Sequence, residues 1–383
     1  MTANHLLEIK QHGQSIWMDN LTRDLIQSGE LQRLVEQSGI AGITSNPAIF
    51  QKAIHGNAIY DRSIEAGIRD HLSIQQIYES LVFEDIRNAC DILMPVYQQT
   101  QGLDGYVSIE VPPTIAHDTE ATIAEAKRYY TQIDRPNVMI KIPGTDAGLP
   151  AVEAVIAAGI NVNVTLLFSV ESYLGSAHAY LRGLEARVEQ GEPIDKIASV
   201  ASFFLSRIDS NIDARIDQKL IGMDDANLRE RLLSIKGKVA IANAKIAYQE
   251  YKKIATSDRW QALAAKGAKV QRLLWASTST KNPDYRDVMY VDELIGAETV
   301  NTLPPNTVEA CADHCNVDDR LESHVSEAYH LIASLGDADI NISLAEVMDE
   351  LLTDGIEKFV QPFESLMQSL QDKVDQLSLA ASH

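Results

Sequence analysis

Eight short apolar segments rich in strand-forming residues recur along the chain, and stretches with helical spacing lie between them. The eight segments occupy residues 16–19, 42–46, 106–111, 137–142, 161–168, 199–205, 270–277 and 298–303. Strict alternation of strand and helix predicts parallel strands joined by right-handed crossovers. Eight such units favour an α/β fold of the (β/α)8 TIM-barrel type, although a doubly wound open sheet shows the same alternation.

The stretches between the strands begin at Asp, Ser or Thr and end at Gly, as expected for helices. LIQSGELQRLVEQSG and DTEATIAEAKRYYTQI are two examples. The connections at residues 47–105 and 206–269 are too long for one helix each, so we expect extra helices in both. In the second connection, NLRERLLSIKGKVAIANAKIAYQEYKKIA predicts two helices that separate at Gly237.

The chain after the last strand is expected to end in helical structure. From Ser343 onward the apolar residues again have helical spacing, and Pro362 is predicted to interrupt it. We therefore expect a single domain over residues 1–383, with the barrel at about 14–335 and a helical C-terminal extension at about 340–379.

The composition is that of an ordinary globular protein, with 45% hydrophobic and 23% charged residues among 383. The formal net charge of −21 repels polyanions, so we expect no nucleic-acid partner and no attraction to an anionic membrane. No apolar run approaches the roughly 20 residues that a membrane span needs. Three cysteines are too few for a disulfide framework, and the first residues lack signal-peptide and transit-peptide features, which favours a cytoplasmic protein.

Lys141 is the most unusual residue in the predicted strands. It lies between Ile140 and Ile142 in the fourth segment, and Pro143 ends that strand two residues later. A lysine in this position points into the mouth of a barrel, where an amine removed from water becomes a nucleophile for carbonyl carbons. Taken alone, the residue fits equally well a structural lysine that pairs with a carboxylate or extends to the surface.

Polar residues also interrupt the C-terminal ends of the other predicted strands. They are Asp19 in the first, Thr44 and Asn46 in the second, Glu110 in the third, Asn163 and Thr165 in the fifth, Ser202 and Arg207 at the sixth, and Ser277 and Lys281 at the seventh. All strands of a parallel barrel end on one face, which holds the active site and commonly binds phosphate at the last strands. Each residue alone is more often a cap or a turn residue, so their joint occurrence is what predicts an active site.

Six of these segments together resemble the transaldolase family: TSNPAIF, SIEVPP, MIKIPGT, NVNVTLLFS, ASFFLSRID and WASTSTKNP. The resemblance runs from about residue 16 to about residue 305, with one motif per strand in the family's order. It implies a transferase of the pentose phosphate pathway that moves a dihydroxyacetone unit from sedoheptulose 7-phosphate to glyceraldehyde 3-phosphate. The products would be erythrose 4-phosphate and fructose 6-phosphate. The resemblance implies sugar phosphate substrates and neither a metal nor an organic cofactor.

The resemblance also implies a role for each polar residue. The catalytic group would be Lys141 as the Schiff-base lysine, Asp19 and Glu110 as acid/base carboxylates, and Thr165 as the residue that orients the catalytic water. The hydroxyls of the dihydroxyacetone unit would be bound by Thr44, Asn46, Asn163 and Ser202. The phosphate clamp would consist of Arg207, Ser277 and Lys281.

Two positions depart from the family's pattern. Many relatives have an arginine soon after the seventh-strand serine, where this chain has Lys281, and many have a proline where this chain has Phe203. A lysine still supplies a point charge for phosphate, without the bidentate geometry of arginine.

Two alternative functions fit parts of the same pattern. A fructose-6-phosphate aldolase-like enzyme shares the barrel and the lysine but releases free dihydroxyacetone, and such relatives usually lack a glutamate at the position of Glu110. A catalytically silent barrel used for binding would require the lysine and the carboxylates to be remnants. A nucleotide-cofactor enzyme is disfavoured because the chain has neither a G-x-G-x-x-G after a strand nor a G-x-x-x-x-G-K-[ST] loop. Cys311, His314 and Cys315 lie close together in the sequence and could bind a metal, but the sequence offers no further ligands to complete such a site.

Overall fold

In the computed structural model, which describes residues 4–381, eight parallel strands form a closed barrel in chain order. The strands are β1 Gln14–Asp19, β2 Gly42–Thr44, β3 Tyr106–Glu110, β4 Val138–Pro143, β5 Val162–Leu167, β6 Ser199–Phe204, β7 Arg272–Ala276 and β8 Thr299–Leu303. Because β8 pairs with β1, the sheet closes on itself. The predicted (β/α)8 barrel is confirmed, and the open doubly wound sheet is excluded.

Helices surround the barrel, and further helices form the part of the chain after the last strand. Within residues 4–381 they are α1 His5–Gln11, α2 Arg23–Gln27, α3 Glu30–Ser38, α4 Pro47–Ile54, α5 Asp61–Arg69, α6 Ile74–Gln99, α7 Thr119–Ile133, α8 Gly148–Ala157, α9 Val170–Glu189, α10 Ser206–Leu220, α11 Ala226–Ile235, α12 Val239–Ala255, α13 Asp258–Ala264, α14 Met289–Glu293, α15 Pro305–His314, α16 Val325–Ser334 and α17 Leu344–Ala381. The two long connections contain α4 to α6 and α10 to α13, so the extra helices expected there are confirmed. None of the helices formed by these residues combines the length and the apolar character that crossing a membrane requires.

Glycines separate consecutive helices at two positions in the chain. Gly237 separates α11 from α12 as predicted, with a backbone φ of +69° that favours glycine. The predicted helical stretch LIQSGELQRLVEQSG forms two helices, α2 and α3, which separate at Gly29, where φ is +78°.

The expected interruption at Pro362 was also wrong, because α17 continues through this residue to Ala381. A proline inside a helix removes one backbone donor and destabilises the helix. Apolar packing offsets that cost, since Leu366 and Leu370 on the following turns are buried against the rest of the protein. The predicted helical extension is otherwise confirmed.

The N-terminal end of the barrel is filled by a hydrogen-bonded group that we call the base cluster: Ser15, Trp17, Asp104 and Arg272. Asp104 accepts hydrogen bonds from Ser15 Oγ at 2.7 Å and from Trp17 Nε1 at 3.0 Å. Arg272 donates to Asp104 at 2.9 Å and to Ser15 Oγ at 2.8 Å. Gly42 lies above this cluster, where a Cβ would come within 2.4 Å of the Trp17 ring.

Helix α17 lies across the opposite end of the barrel, at the C-terminal ends of the strands. It packs against α4, α6, α10 and β5. Ion pairs fasten it near both ends, with Glu350 at 2.5 Å from Arg215 and Lys373 at 2.9 Å from Asp61. The helical extension therefore covers the face on which the predicted active site lies.

Candidate active site

A cavity of about 490 Å³ opens at the C-terminal ends of the strands. Of the predicted site residues, those that line it are Asp19, Thr44, Asn46, Lys141, Ser202, Arg207, Ser277 and Lys281. Glu110, Asn163 and Thr165 do not line the cavity and are buried in the barrel wall beside it. The barrel thus brings the predicted residues to one place.

Lys141 and Glu110 occupy opposite positions in the register of β4 and β3. The Lys141 Nζ atom lies 3.7 Å from Glu110 Oε2, and it donates a hydrogen bond to the Ser45 carbonyl oxygen at 3.3 Å. Both residues are nearly inaccessible to solvent, with 4% and 6% of their surface exposed. A distance of 3.7 Å gives an ion pair but is too long for a hydrogen bond. The amine and the carboxyl group therefore face each other without a direct hydrogen bond between them.

Glu110 is poised to exchange a proton near neutral pH. Burial raises the pKa of this carboxyl group to about 7, although the charge of Lys141 acts in the opposite direction. Among the residues that the structure describes, none donates a hydrogen bond to either carboxyl oxygen of Glu110. The hydroxyl oxygen of Thr165, on β5, is likewise buried and unpaired. Buried polar atoms without partners are rare in proteins, and a bound water or a substrate would satisfy both groups.

Asn163 is also buried, but its polar atoms are occupied. It lies opposite Lys141 in the register of β5 and β4. Its amide nitrogen donates to Ser108 Oγ at 3.1 Å, and its amide oxygen accepts from Ser202 Oγ at 2.6 Å. In this structure Asn163 connects to the cavity through Ser202, which lines it.

Asp19 is held at the edge of the cavity by its neighbours in the barrel. The Thr44 hydroxyl donates to Asp19 Oδ1 at 2.7 Å and lies 2.7 Å from the Thr302 hydroxyl. Thr302, at the end of β8, also lines the cavity. Asn46 uses its side-chain oxygen to cap α4 by accepting from the Ile49 backbone at 3.0 Å. The amide nitrogen of Asn46 is therefore the group that can serve a ligand.

Three cations line the other side of the cavity, and we call them the cationic cluster: Lys52, Arg207 and Lys281. The Nη1 atom of Arg207 is buried and has no hydrogen-bond partner within residues 4–381, while Lys281 donates to Ser279 Oγ at 2.9 Å. Burial lowers the pKa of Arg207, and burial together with the charge of Arg207 lowers the pKa of Lys281. Cations that crowd in this way favour an anion between them.

Ser277 shapes the wall beside the cationic cluster. Its φ of +55° is in the left-handed region, which is rare for a residue other than glycine and costs about 1–3 kcal/mol. Its carbonyl oxygen accepts from the Ser206 backbone at 3.0 Å, and the two hydroxyls lie 2.8 Å apart. This turn brings the chain after β7 against the first turn of α10, which carries Arg207.

Some cavity residues carry no signal in the strand-end pattern. Lys52 lies on α4 rather than at a strand end, and Thr302 ends the one strand for which no polar residue is predicted. Phe359 comes from α17, and its ring centroid lies 5.7 Å from Lys141 Nζ. The helical spacing of Phe359 and Phe363 predicts a buried face but not the surface that it covers.

The fold and the site together define a class: a (β/α)8 barrel with a buried amine at the end of the fourth strand, beside a carboxyl group and facing a cationic cluster. The sequence matches the family described as Transaldolase/Fructose-6-phosphate aldolase over residues 16–370. It is 72% identical to Transaldolase 2 of Nostoc sp. (strain PCC 7120) over 379 residues, which cover 99% of this chain and 100% of that protein.

More distant relatives match over the same length. Transaldolase of Trichodesmium erythraeum is 68% identical over 378 residues, covering 99% of this chain and 100% of that protein. Transaldolase of Mycolicibacterium smegmatis is 43% identical over 375 residues, covering 97% of this chain and 98% of that protein. The chain therefore belongs to the transaldolase/fructose-6-phosphate aldolase family, and the predicted resemblance is confirmed.

Proposed function

We propose that this protein transfers a dihydroxyacetone unit from sedoheptulose 7-phosphate to glyceraldehyde 3-phosphate, giving erythrose 4-phosphate and fructose 6-phosphate, as a transaldolase of the pentose phosphate pathway. The observation that carries the proposal is the buried Lys141 amine, which lies 3.7 Å from a carboxyl group of pKa about 7. Full-length relatives that are named transaldolases support it.

In the first step, Lys141 Nζ attacks the keto carbon of the donor sugar, and the adduct loses water to form a protonated imine. Both events require proton transfers, and Glu110 can give and accept protons because its pKa is about 7. The unpaired hydroxyl of Thr165 suits a water molecule that relays these protons. The protonated imine then supplies the electron sink that cleavage of the neighbouring carbon–carbon bond needs.

In the second step, Asp19 removes the proton from the C4 hydroxyl of the bound sugar. The C3–C4 bond breaks, its electrons move into the imine to form an enamine, and the aldehyde product leaves. The hydrogen bond from Thr44 at 2.7 Å fixes the Asp19 carboxylate for this role. An acceptor aldehyde then enters, and the same steps run in reverse.

The phosphate of donor and acceptor binds the cationic cluster in this proposal. The net charge of −21 repels anions, so a phosphorylated substrate needs local positive charge. The unpaired Arg207 Nη1 can donate directly to a phosphate oxygen, and Lys281 adds a point charge. Hydroxyls of the three-carbon unit would be bound by Thr44, Asn46 and Ser202, with Asn163 acting through Ser202.

The proposal is tested by the products formed from fructose 6-phosphate. With erythrose 4-phosphate as acceptor, sedoheptulose 7-phosphate and glyceraldehyde 3-phosphate should appear together, with little free dihydroxyacetone. Without an acceptor, turnover should stall after the first cycle, and borohydride should trap the three-carbon unit on the peptide that contains Lys141. Steady release of dihydroxyacetone without an acceptor would instead favour a fructose-6-phosphate aldolase-like enzyme.

A further inference from the structure

We propose that Phe359 of the C-terminal helix is a specificity-determining residue. In this proposal its ring closes the cavity over Lys141 and limits the access of water to the covalent intermediate. The three-carbon unit is then passed to an aldehyde and is not released as dihydroxyacetone. The inference rests on the proposed function, and in it Phe359 decides between transfer of the three-carbon unit and release of dihydroxyacetone.

The position of Phe359 is the first support. Its ring lines the cavity, is only 4% exposed, and stands with its centroid 5.7 Å from Lys141 Nζ. The face of an aromatic ring at this distance attracts a cation and presents no hydrogen-bonding group to water. The ring therefore favours a protonated imine on Lys141 and disfavours a water molecule at the same place.

The path of α17 explains how Phe359 reaches the lysine. One turn before it, a Cβ at Gly355 would lie 3.0 Å from Leu166 Cδ2 and 3.5 Å from Arg207 Nη1. Leu166 has a φ of +59° at the point where the register of β5 and β6 shifts. Because Gly355 has no side chain, the helix can lie close to the ends of these strands.

A contact on the next turn fixes the rotation of the helix. Phe363 packs edge-on against Tyr78 of α6, with ring centroids 5.6 Å apart and planes at 84°. Residues four apart lie on the same helical face, so seating Phe363 on Tyr78 directs Phe359 toward the barrel mouth. The placement of Phe359 is thus determined by packing on both sides.

Transfer and release separate at the enamine. In release, the enamine carbon takes a proton to give an imine, water adds to the imine carbon, and the carbon–nitrogen bond breaks to give dihydroxyacetone and the free Lys141 amine. In transfer, the enamine carbon attacks an aldehyde before hydrolysis completes. Both routes end with water adding to an imine carbon, so they differ in whether the enamine carbon first takes a proton or attacks an aldehyde. A barrier to bulk water slows protonation of the enamine carbon and so changes the ratio of the two rates.

The test compares two truncations on the same face of α17. Phe359→Ala should raise the ratio of dihydroxyacetone release to transfer from fructose 6-phosphate by about tenfold or more. Leu370→Ala, which truncates a buried side chain of α17 outside the cavity, should leave the ratio within about twofold of wild type. Phe359→Val, with a smaller loss of volume, should give an intermediate ratio and decides the question if the alanine variant does not fold.

A wild-type ratio in folded Phe359→Ala or Phe359→Val would overturn the inference, as would an equal rise in Leu370→Ala. Failure of the proposed function has a different signature, since wild-type protein itself would then form no sedoheptulose 7-phosphate or be trapped at a residue other than Lys141. A borohydride quench after mixing with fructose 6-phosphate adds a second readout. The trapped fraction should decay faster in Phe359→Ala than in wild type.

Discussion

The two ends of the barrel bury polar groups to the same degree but treat them differently. In the base cluster, Arg272 is 5% exposed and Asp104 is 4% exposed, and the two are joined to each other and to Ser15 and Trp17 by hydrogen bonds. At the mouth, Glu110 is 6% exposed, and in the described part of the chain neither of its carboxyl oxygens has a hydrogen-bond partner. Burial alone therefore does not distinguish a structural charge from a reactive one.

Unpaired atoms are not confined to the mouth, since Asn137 and Asn301 elsewhere in the barrel wall also have them. What marks the mouth is that unpaired groups of complementary chemistry converge there: a carboxyl group, a hydroxyl and a guanidinium beside a buried amine. Each unsatisfied buried group costs about 1–3 kcal/mol. Groups that would bind substrate are left without protein partners at the expense of stability, a pattern typical of active sites.

The largest expected effects come from removing one cation at each end. Lys141→Ala should reduce transfer by on the order of 10⁴-fold or more, because the nucleophile itself is lost. It should still fold cooperatively, because Glu110 can bind a proton and avoid an unpaired charge. Arg272→Ala should lose about 3–5 kcal/mol of unfolding free energy, because it leaves the Asp104 carboxylate buried without its cation.

Chemical denaturation and a transfer assay of both variants make the comparison. Folded Arg272→Ala should keep the wild-type kcat below its unfolding midpoint. The contrast between the two ends would be broken if Lys141→Ala lost as much stability as Arg272→Ala, or if it retained transfer activity.

A smaller effect is expected from Glu110→Gln, which keeps the shape of the side chain and removes its titration. Loss of acid/base catalysis should lower kcat by about 10²–10⁴-fold. The limb of the wild-type pH–rate profile near pH 7 should also disappear, because the pKa of Glu110 is about 7.

The same substitution should change how stability depends on pH. The folded-state pKa of Glu110 is raised from 4.5 to about 7 by burial, so between these values the folded protein binds the proton more tightly than the unfolded chain. This group therefore makes wild-type stability fall as pH rises from about 4.5 to about 7. Glu110→Gln should gain stability relative to wild type between pH 5 and pH 8. A constant difference across that range would contradict the shifted pKa.

The titration of Asp209 also contributes to the pH dependence of stability, so the effect of Glu110 must be measured as the difference between wild type and Glu110→Gln. Burial raises the pKa of the Asp209 carboxyl group to about 7 as well, although hydrogen bonds from Tyr290 and the Ala240 backbone act in the opposite direction. The stability of wild type alone therefore contains both titrations. Subtraction of the Glu110→Gln curve cancels the contribution of Asp209 and leaves that of Glu110.

The barrel and much of its mouth could be predicted because they follow from local patterns. Strand and helix periods locate all eight strands, and parallel strands must end on one face, so polar strand-end residues such as Asp19, Thr44 and Lys141 converge. Side-chain alternation also predicts that Asn163 and Thr165 share one face of β5. It does not reveal that Ser108 and Ser202 already occupy the Asn163 amide, because that depends on side-chain conformations across three strands.

The contribution of α17 could not be predicted, because periodicity identifies a helical face but not its partner surface. Phe359 lies more than two hundred positions after Lys141 in the sequence, and only tertiary packing brings the two together. Pro362 misleads for a related reason: local propensity predicts an interruption, while burial of Leu366 and Leu370 stabilises the continuous helix.

The smallest expected effects distinguish the members of the cationic cluster from one another. Arg207→Ala should raise KM for phosphorylated sugars by roughly 30-fold or more, because a desolvated guanidinium with a free donor is lost. Lys281→Ala should have a smaller effect, since the residue is exposed and its ammonium group already donates to Ser279 Oγ. Lys52→Ala should raise KM only about two- to fivefold, because the residue is exposed and water screens its charge.

Salt and substrate charge provide the controls for this series. The Lys52→Ala effect should vanish near 1 M salt, where the screening length is about 3 Å. Much of the Arg207→Ala effect should persist, because Arg207 is partly buried and partly buried charges are screened less. Unphosphorylated analogues should show little change in KM with any of the three variants. An equal rise in KM for phosphorylated and unphosphorylated sugars would show that the phosphate does not bind on this side of the cavity. A larger effect for Lys52 than for Arg207 would move the phosphate site toward α4, and the degree of burial of a cation would then not predict how strongly it binds substrate.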